Sequence, residues 1–151
     1  MPTQVQTVYA IDPASRNVRA VLQVDADGWL DAEIEPMLGQ VVRACQATGV
    51  AVALAVSIDS AFVVRKGAST TQFEIDEIET AELISPHPLH PDPSQLTEAV
   101  VRWCKALARG ERGFLAMARL PKRVPELVEL LSGTQLTTRD GAAEPIGTFE
   151  E

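Results

Sequence analysis

VRAVLQVDA (Val18–Ala26) is a run of strand length, rich in β-branched and aliphatic residues, and the Asp27-Gly28 pair breaks it. Upstream, VQTVYAID (Val5–Asp12) has the same character. The intervening Asp-Pro-Ala-Ser-Arg-Asn has the turn chemistry of a hairpin loop. Neither strand alternates cleanly between apolar and polar residues. YAI and AVL therefore predict a hairpin covered at least partly on both faces, which requires layers above and below the sheet.

The rest of the chain supplies those layers. Ile34, Met37, Leu38, Val41, Val42 and Cys45 recur at helical spacing, with Gly49 just past the end as a C-cap. Pro36 places the start of the regular helix near itself, after a looser lead-in from Trp29 to Glu35. Val50–Ile58 is a nearly continuous apolar run and reads as a central strand; Asp59-Ser60 turns the chain, and Ala61–Lys66 returns as its partner. Thr71–Ile75 alternates and is expected at an edge, followed by a short helix capped by Asp76 and running to Ile84. Ser85–Pro93 holds four prolines in nine residues and predicts an extended surface loop. Pro93-Ser94 opens the longest helical pattern, to about Arg109, with Leu96, Val100, Trp103, Cys104 and Leu107 on its apolar face. A shorter helix is expected over Val124–Leu131. Beyond Thr137 the chain is polar and aperiodic. The expectation is one globular domain over 1–136 with an unstructured tail over 137–151. Its element order is β-β-α-β-β-(β)-α-α, a mixed α/β fold with a central mixed sheet flanked by helices.

Composition narrows the class. The 151 residues suffice for one domain with a real core, and 46% hydrophobic with 23% charged residues is ordinary for a globular protein. No apolar run reaches membrane-spanning length and MPTQVQT does not read as a signal peptide, so the expected compartment is the cytoplasm and no membrane partner is expected. The two cysteines, Cys45 and Cys104, sit on apolar helix faces and are read as free thiols; without a CxxC spacing, zinc and thiol-redox readings fall away. A net charge of −8 opposes generic wrapping of nucleic acid. The charge is uneven: Glu74 to Glu82 holds five acids and no base, and Arg102 to Arg123 holds seven bases against Glu111 alone.

The order of hairpin, helix and second strand pair resembles the core of the PD-(D/E)xK, or restriction-endonuclease-like, superfamily, and in particular small N-terminal-like domains of type I restriction enzymes. AVALAVSIDSAFVVRKG looks like the family's later strand pair, and IDEIETAELI and EAVVRWCKAL follow as its helices do; about 130 residues are covered, by pattern and without an invariant motif. The resemblance implies carboxylates on adjacent strands holding Mg²⁺, with a lysine neutralising developing charge. Aligned on the hairpin, the metal-binding aspartate falls at Thr7, the second acid at Gln23 and the lysine at Asp25, so all three positions depart from the motif. The family's first helix, before the hairpin, has no counterpart in the four residues ahead of Val5. Roadblock and longin-like domains, dimerising adaptors for small GTPases, share nearly the same element order, though no residue here is a signature of them.

Several clusters compete as sites. Asp12, Asp25, Asp27, Asp31 and Glu33 offer oxygen ligands, but without EF-hand spacing they read as turn and helix-start residues. His87, His90 and Asp92 lie among prolines with no further ligand to complete a zinc set, and read as a solvated loop. No metal and no cofactor is expected. The basic set is more specific: Arg102, Lys105, Arg109 and Arg112 are spaced by three and four, and Arg119, Lys122 and Arg123 follow. The expected function is therefore a non-catalytic, nuclease-like binding or scaffold domain whose basic helix meets a protein partner. Nucleic acid is the less favoured ligand, and self-association through a strand edge or helix face is a further expectation. The enzymatic alternative is a Mg²⁺-dependent nuclease using Asp12 and Asp25; the other alternative is a roadblock-like adaptor.

Overall fold

The hairpin forms where the β-branched runs place it: β1 (Val5–Ile11) pairs antiparallel with β2 (Val18–Asp25), setting Val5 opposite Asp25 and Thr7 opposite Gln23. The computed structural model describes residues 5–25, 28–50, 52–57, 60–66, 73–80, 93–109 and 126–143. At the turn the Asp12 carboxylate accepts the Ala14 N–H at 2.8 Å, and the Asp12 N–H donates to the Asn17 carbonyl at 2.9 Å. Arg16 closes the turn in the left-handed region, at φ 65°.

Helix α1 (Asp31–Thr48) begins five residues ahead of the position that Pro36 suggested. Asp31 and Glu33 favour the positive end of the helix, and the Glu33 carboxylate accepts the Leu30 N–H at 2.8 Å. Pro36 removes the bond to the Ala32 carbonyl, but both residues are exposed, so water can take its place. At the far end Gly49 adopts φ 72° and its N–H closes on the Cys45 carbonyl at 2.9 Å.

The chain then enters β3 (Val52–Val56), parallel to β2, which makes β2, α1 and β3 a crossover unit. β4 (Ser60–Lys66) returns antiparallel, and β5 (Phe73–Glu79) pairs antiparallel with β4. The helix expected over Asp76–Ile84 does not start at Asp76: the strand continues to Glu79, helical conformation begins at Thr80, and residues 81–84 lie outside the described set. Phe73 and Ile75 share one face of β5 and Ile78 the other, so the three-residue step from Ile75 to Ile78 imitates a helical period. The ladder to β4 and the Arg65–Asp76 ion pair at 3.0 Å favour the strand.

Helices α2 (Pro93–Arg109) and α3 (Glu126–Leu131) precede β6 (Gln135–Asp140), which pairs antiparallel with β1. The polar stretch from Thr137, expected to lack structure, instead completes this strand, and Gly141–Ala143 pack beyond it; residues 144–151 lie outside the described set. The sheet order is β5-β4-β3-β2-β1-β6. The fold is thus mixed α/β, with a six-stranded mixed sheet and helices on both faces. Among the described residues no helix is long and apolar enough to cross a membrane.

Two clusters divide the core. On one face Val41, Ala44 and Cys45 of α1 cover Tyr9, Val21, Ala53, Ala55, Phe62 and Val64. On the other, Leu96, Val100, Trp103 and Cys104 of α2, with Leu131 of α3, cover Val8, Leu22, Leu54, Val56 and Val63. Cys45 and Cys104 therefore stand on opposite faces of the sheet, and neither forms a disulfide. The side chain of Leu107 lies outside the described set.

Burial pushes the Cys45 thiol up to about 11 and the Cys104 thiol up to about 12, from an ordinary 9.0. The unfolded chain ionises these thiols first. The stability they contribute is complete below the unfolded value and is lost as pH rises through the folded values. Urea unfolding followed from about pH 8 to about pH 10.5 should show falling stability, and the fall should be shallower in a Cys45→Ala/Cys104→Ala variant.

Candidate functional site

The hairpin register brings the three nuclease-aligned positions to one end of the sheet. Thr7 and Gln23 face each other across β1 and β2, and Asp25 stands two residues further along β2 on the same face, the side that α1 covers. All three are buried, at 0%, 3% and 5% exposure. Carboxylates here would lie on adjacent strands, as a metal site requires. The residues present do something else. The Thr7 hydroxyl donates to the Gly141 carbonyl at 2.8 Å, and Gln23 Oε1 accepts the Ala143 N–H at 2.9 Å. The Gly141 N–H adds a bond to the Val5 carbonyl at 2.6 Å. Ala143 is 1% exposed and packs into the α1-side core. The chain leaving β6 is thus laid across the ends of β1 and β2, held by the side chains of Thr7 and Gln23.

The neighbouring strand end is similarly engaged. Ser57 follows β3 at the carboxyl end of the parallel pair, where open α/β sheets commonly bind ligands. Its hydroxyl donates to the Ser60 carbonyl at 2.8 Å and accepts the Ser60 N–H at 3.1 Å, fixing the turn into β4. The Ser57 carbonyl accepts the buried Thr80 hydroxyl at 2.8 Å. Gly28, at φ 76°, crosses directly above, where an added Cβ would meet the Ser57 Cβ at 3.8 Å. Trp29 then tilts against Phe62, with ring centroids 5.6 Å apart.

Asp12 and Asp25 do not converge. Asp12 lies in the hairpin turn and Asp25 at the opposite end of β2, roughly 20 Å away at the rise of a strand. They cannot share one cation. Among the described residues no three His, Cys, Asp or Glu side chains gather as metal ligands, and Asp27, His87, His90 and Asp92 lie outside that set.

Of the basic residues, Arg102, Lys105 and Arg109 are exposed on α2, on the side away from Leu96, Val100, Trp103 and Cys104. Glu98 stands four residues before Arg102 at the head of this stripe. Arg112, Arg119, Lys122 and Arg123 lie outside the described residues. The acids on β5 are far from α2, which packs against β2, β6 and α3. β5 is three strand spacings from β2, or about 14 Å. One half of the molecule therefore shows a basic helix and the other an acidic edge.

Sequence reasoning missed the docking of Gly141–Ala143. The available signal was weak: the β-branched pair Thr137-Thr138 after Gly133-Thr134, in a stretch whose polarity reflects an edge position with little burial. Compared with protein-family models, curated proteins and solved structures, the chain matches none.

The bond from Ala143 to Gln23 makes a stability prediction. Gln23→Met keeps the volume but leaves a buried N–H unsatisfied, and should lower stability by about 1–3 kcal/mol in chemical denaturation. A change within error would mean that this contact does not hold the segment.

Proposed function

We propose that this chain is a non-catalytic protein-binding domain on a restriction-endonuclease-like frame, and that it binds an acidic protein surface through the exposed face of α2. The observation that carries the non-catalytic part is the use of Thr7 and Gln23. At the hairpin end where the family resemblance implies metal-binding carboxylates, both side chains are neutral, buried and hydrogen-bonded to the chain's own Gly141 and Ala143. A phosphodiester would have to displace that segment, and it would meet no lysine, since Asp25 occupies the third position. The parallel β2 and β3 joined by α1 support the frame.

The choice of surface rests on Arg102, Lys105 and Arg109, which share an exposed face while the apolar side of α2 is in the core. A protein partner is favoured over nucleic acid because the chain carries a net charge of −8, which repels a polyanion at long range.

Reversing these charges in an Arg102→Glu/Lys105→Glu/Arg109→Glu variant should leave the thermal transition nearly unchanged and remove the partner from a pull-down. An unchanged set of captured proteins would contradict this surface. Incubation with Mg²⁺ or Mn²⁺ and plasmid or single-stranded DNA should give no cleavage. Cleavage that disappears in Asp25→Ala would overturn the non-catalytic reading.

A further inference from the structure

The face of the sheet covered by α1 is not covered to its margin. Beside the helix, Ile34, Leu38 and Val42 of α1 and Ile75 of β5 line an open hollow of about 510 Å³, with Asp31 and Glu35 at its rim. Ile75 is a large apolar residue left 42% exposed. Gly39 lies in the wall, and the nearest atom to a Cβ added there would be the tip of Arg43, at 3.7 Å. β5 is the last strand of the sheet, and among the described residues nothing pairs with its outer edge. Glu74, Ile75, Asp76, Glu77 and Glu79 are exposed along it.

An exposed edge strand is a template for another strand, and alternate side chains of an added strand fall on alternate faces. The β4 register places Phe73, Ile75 and Glu77 on the α1 side and Glu74 and Asp76 on the other. A strand laid beside β5 would set one side chain next to Ile75, over the apolar hollow, and its neighbours next to Glu74, Asp76 and Glu77. Cross-strand pairing favours opposite charges and penalises like ones. A second copy of β5 would bring acids against acids, which argues against pairing of this strand with itself.

We infer that the β5 edge and the adjoining hollow bind an extended cationic segment of another protein, with an apolar residue seated beside Ile75 and flanking lysines or arginines opposite Glu74 and Asp76. The site is separate from the basic face of α2 and selects the opposite charge, so it stands or falls independently of the function proposed above.

The test uses the full chain and a fluorescent, blocked heptapeptide in which lysine alternates with valine and isoleucine. Saturable binding is expected by anisotropy, with amide shifts in residues 73–79. Affinity should fall about tenfold or more in Glu74→Lys/Asp76→Lys, which removes charge complementarity, and in Gly39→Leu, which fills the hollow. Ile75→Ser, at an exposed position, should weaken binding as well and serves if Gly39→Leu does not fold. Arg102→Glu on α2 should not weaken it. The inference is overturned by absence of saturable binding, by equal affinity for a peptide with serine in place of valine and isoleucine, or by equal affinity of the β5 and hollow variants. Concentration-dependent shifts at 73–79 without peptide would identify a second copy as the occupant and overturn it too.

Discussion

The two-sided burial of β3 is the constraint on which the rest of the structure depends. Every residue from Val52 to Val56 is at most 2% exposed. A strand with no wet face needs a layer above and a layer below, and it cannot be an edge. The parallel pairing with β2 satisfies one side of that demand as it forms, since the crossover returns the chain through α1 and sets that helix on the sheet. Ala53 and Ala55 face α1, whose Ala44 belongs to the same cluster, so small side chains on both partners let the helix lie close. Val52, Leu54 and Val56 face the other way and need α2 and α3, which come from the second half of the chain. The halves are thereby bound into one core through a single strand.

The same logic explains why polar residues sit at one end of the hairpin. Most of β1 and β2 is buried, yet they carry Thr7, Gln23 and Asp25 on the α1 side. A buried polar group is tolerated where a partner satisfies it. For Thr7 and Gln23 that partner is the backbone of residues 141 and 143, which follow a strand that has itself added to the edge of β1. β6 thus guards an edge and delivers the segment that satisfies Thr7 and Gln23.

The core of this fold was legible because its signals were strong and local: β-branched runs for β1 to β4, helical spacing in α1 and α2, glycine after α1. The failures also have particular causes. Pro36 drew the start of α1 too late, because a proline on an exposed side costs less than one facing the core. In β5 the apolar residues change faces between Ile75 and Ile78, which reads as a helical step until the β4 ladder is seen. β6 gave almost no signal, since an edge strand with mostly exposed side chains needs no hydrophobic pattern. The chemistry at the hairpin end was half legible: the sequence singled out Thr7 and Gln23 as neutral residues on paired strands, but their hydrogen bonds span more than a hundred residues and no local pattern encodes them.

Charge is separated across the sheet: basic side chains lie on the exposed face of α2 and acids on the β5 edge, with several strand spacings between them. Both lie outside the hairpin end that the chain's own residues occupy. The central claim is that occupancy, and amide hydrogen exchange at Ala143 tests it most directly. Held by Gln23 and buried beneath α1, this amide should exchange on the timescale of the β1 and β2 core amides, far slower than an unstructured peptide. Exchange at the rate of a free chain would mean that the hairpin end is open, and would contradict the account.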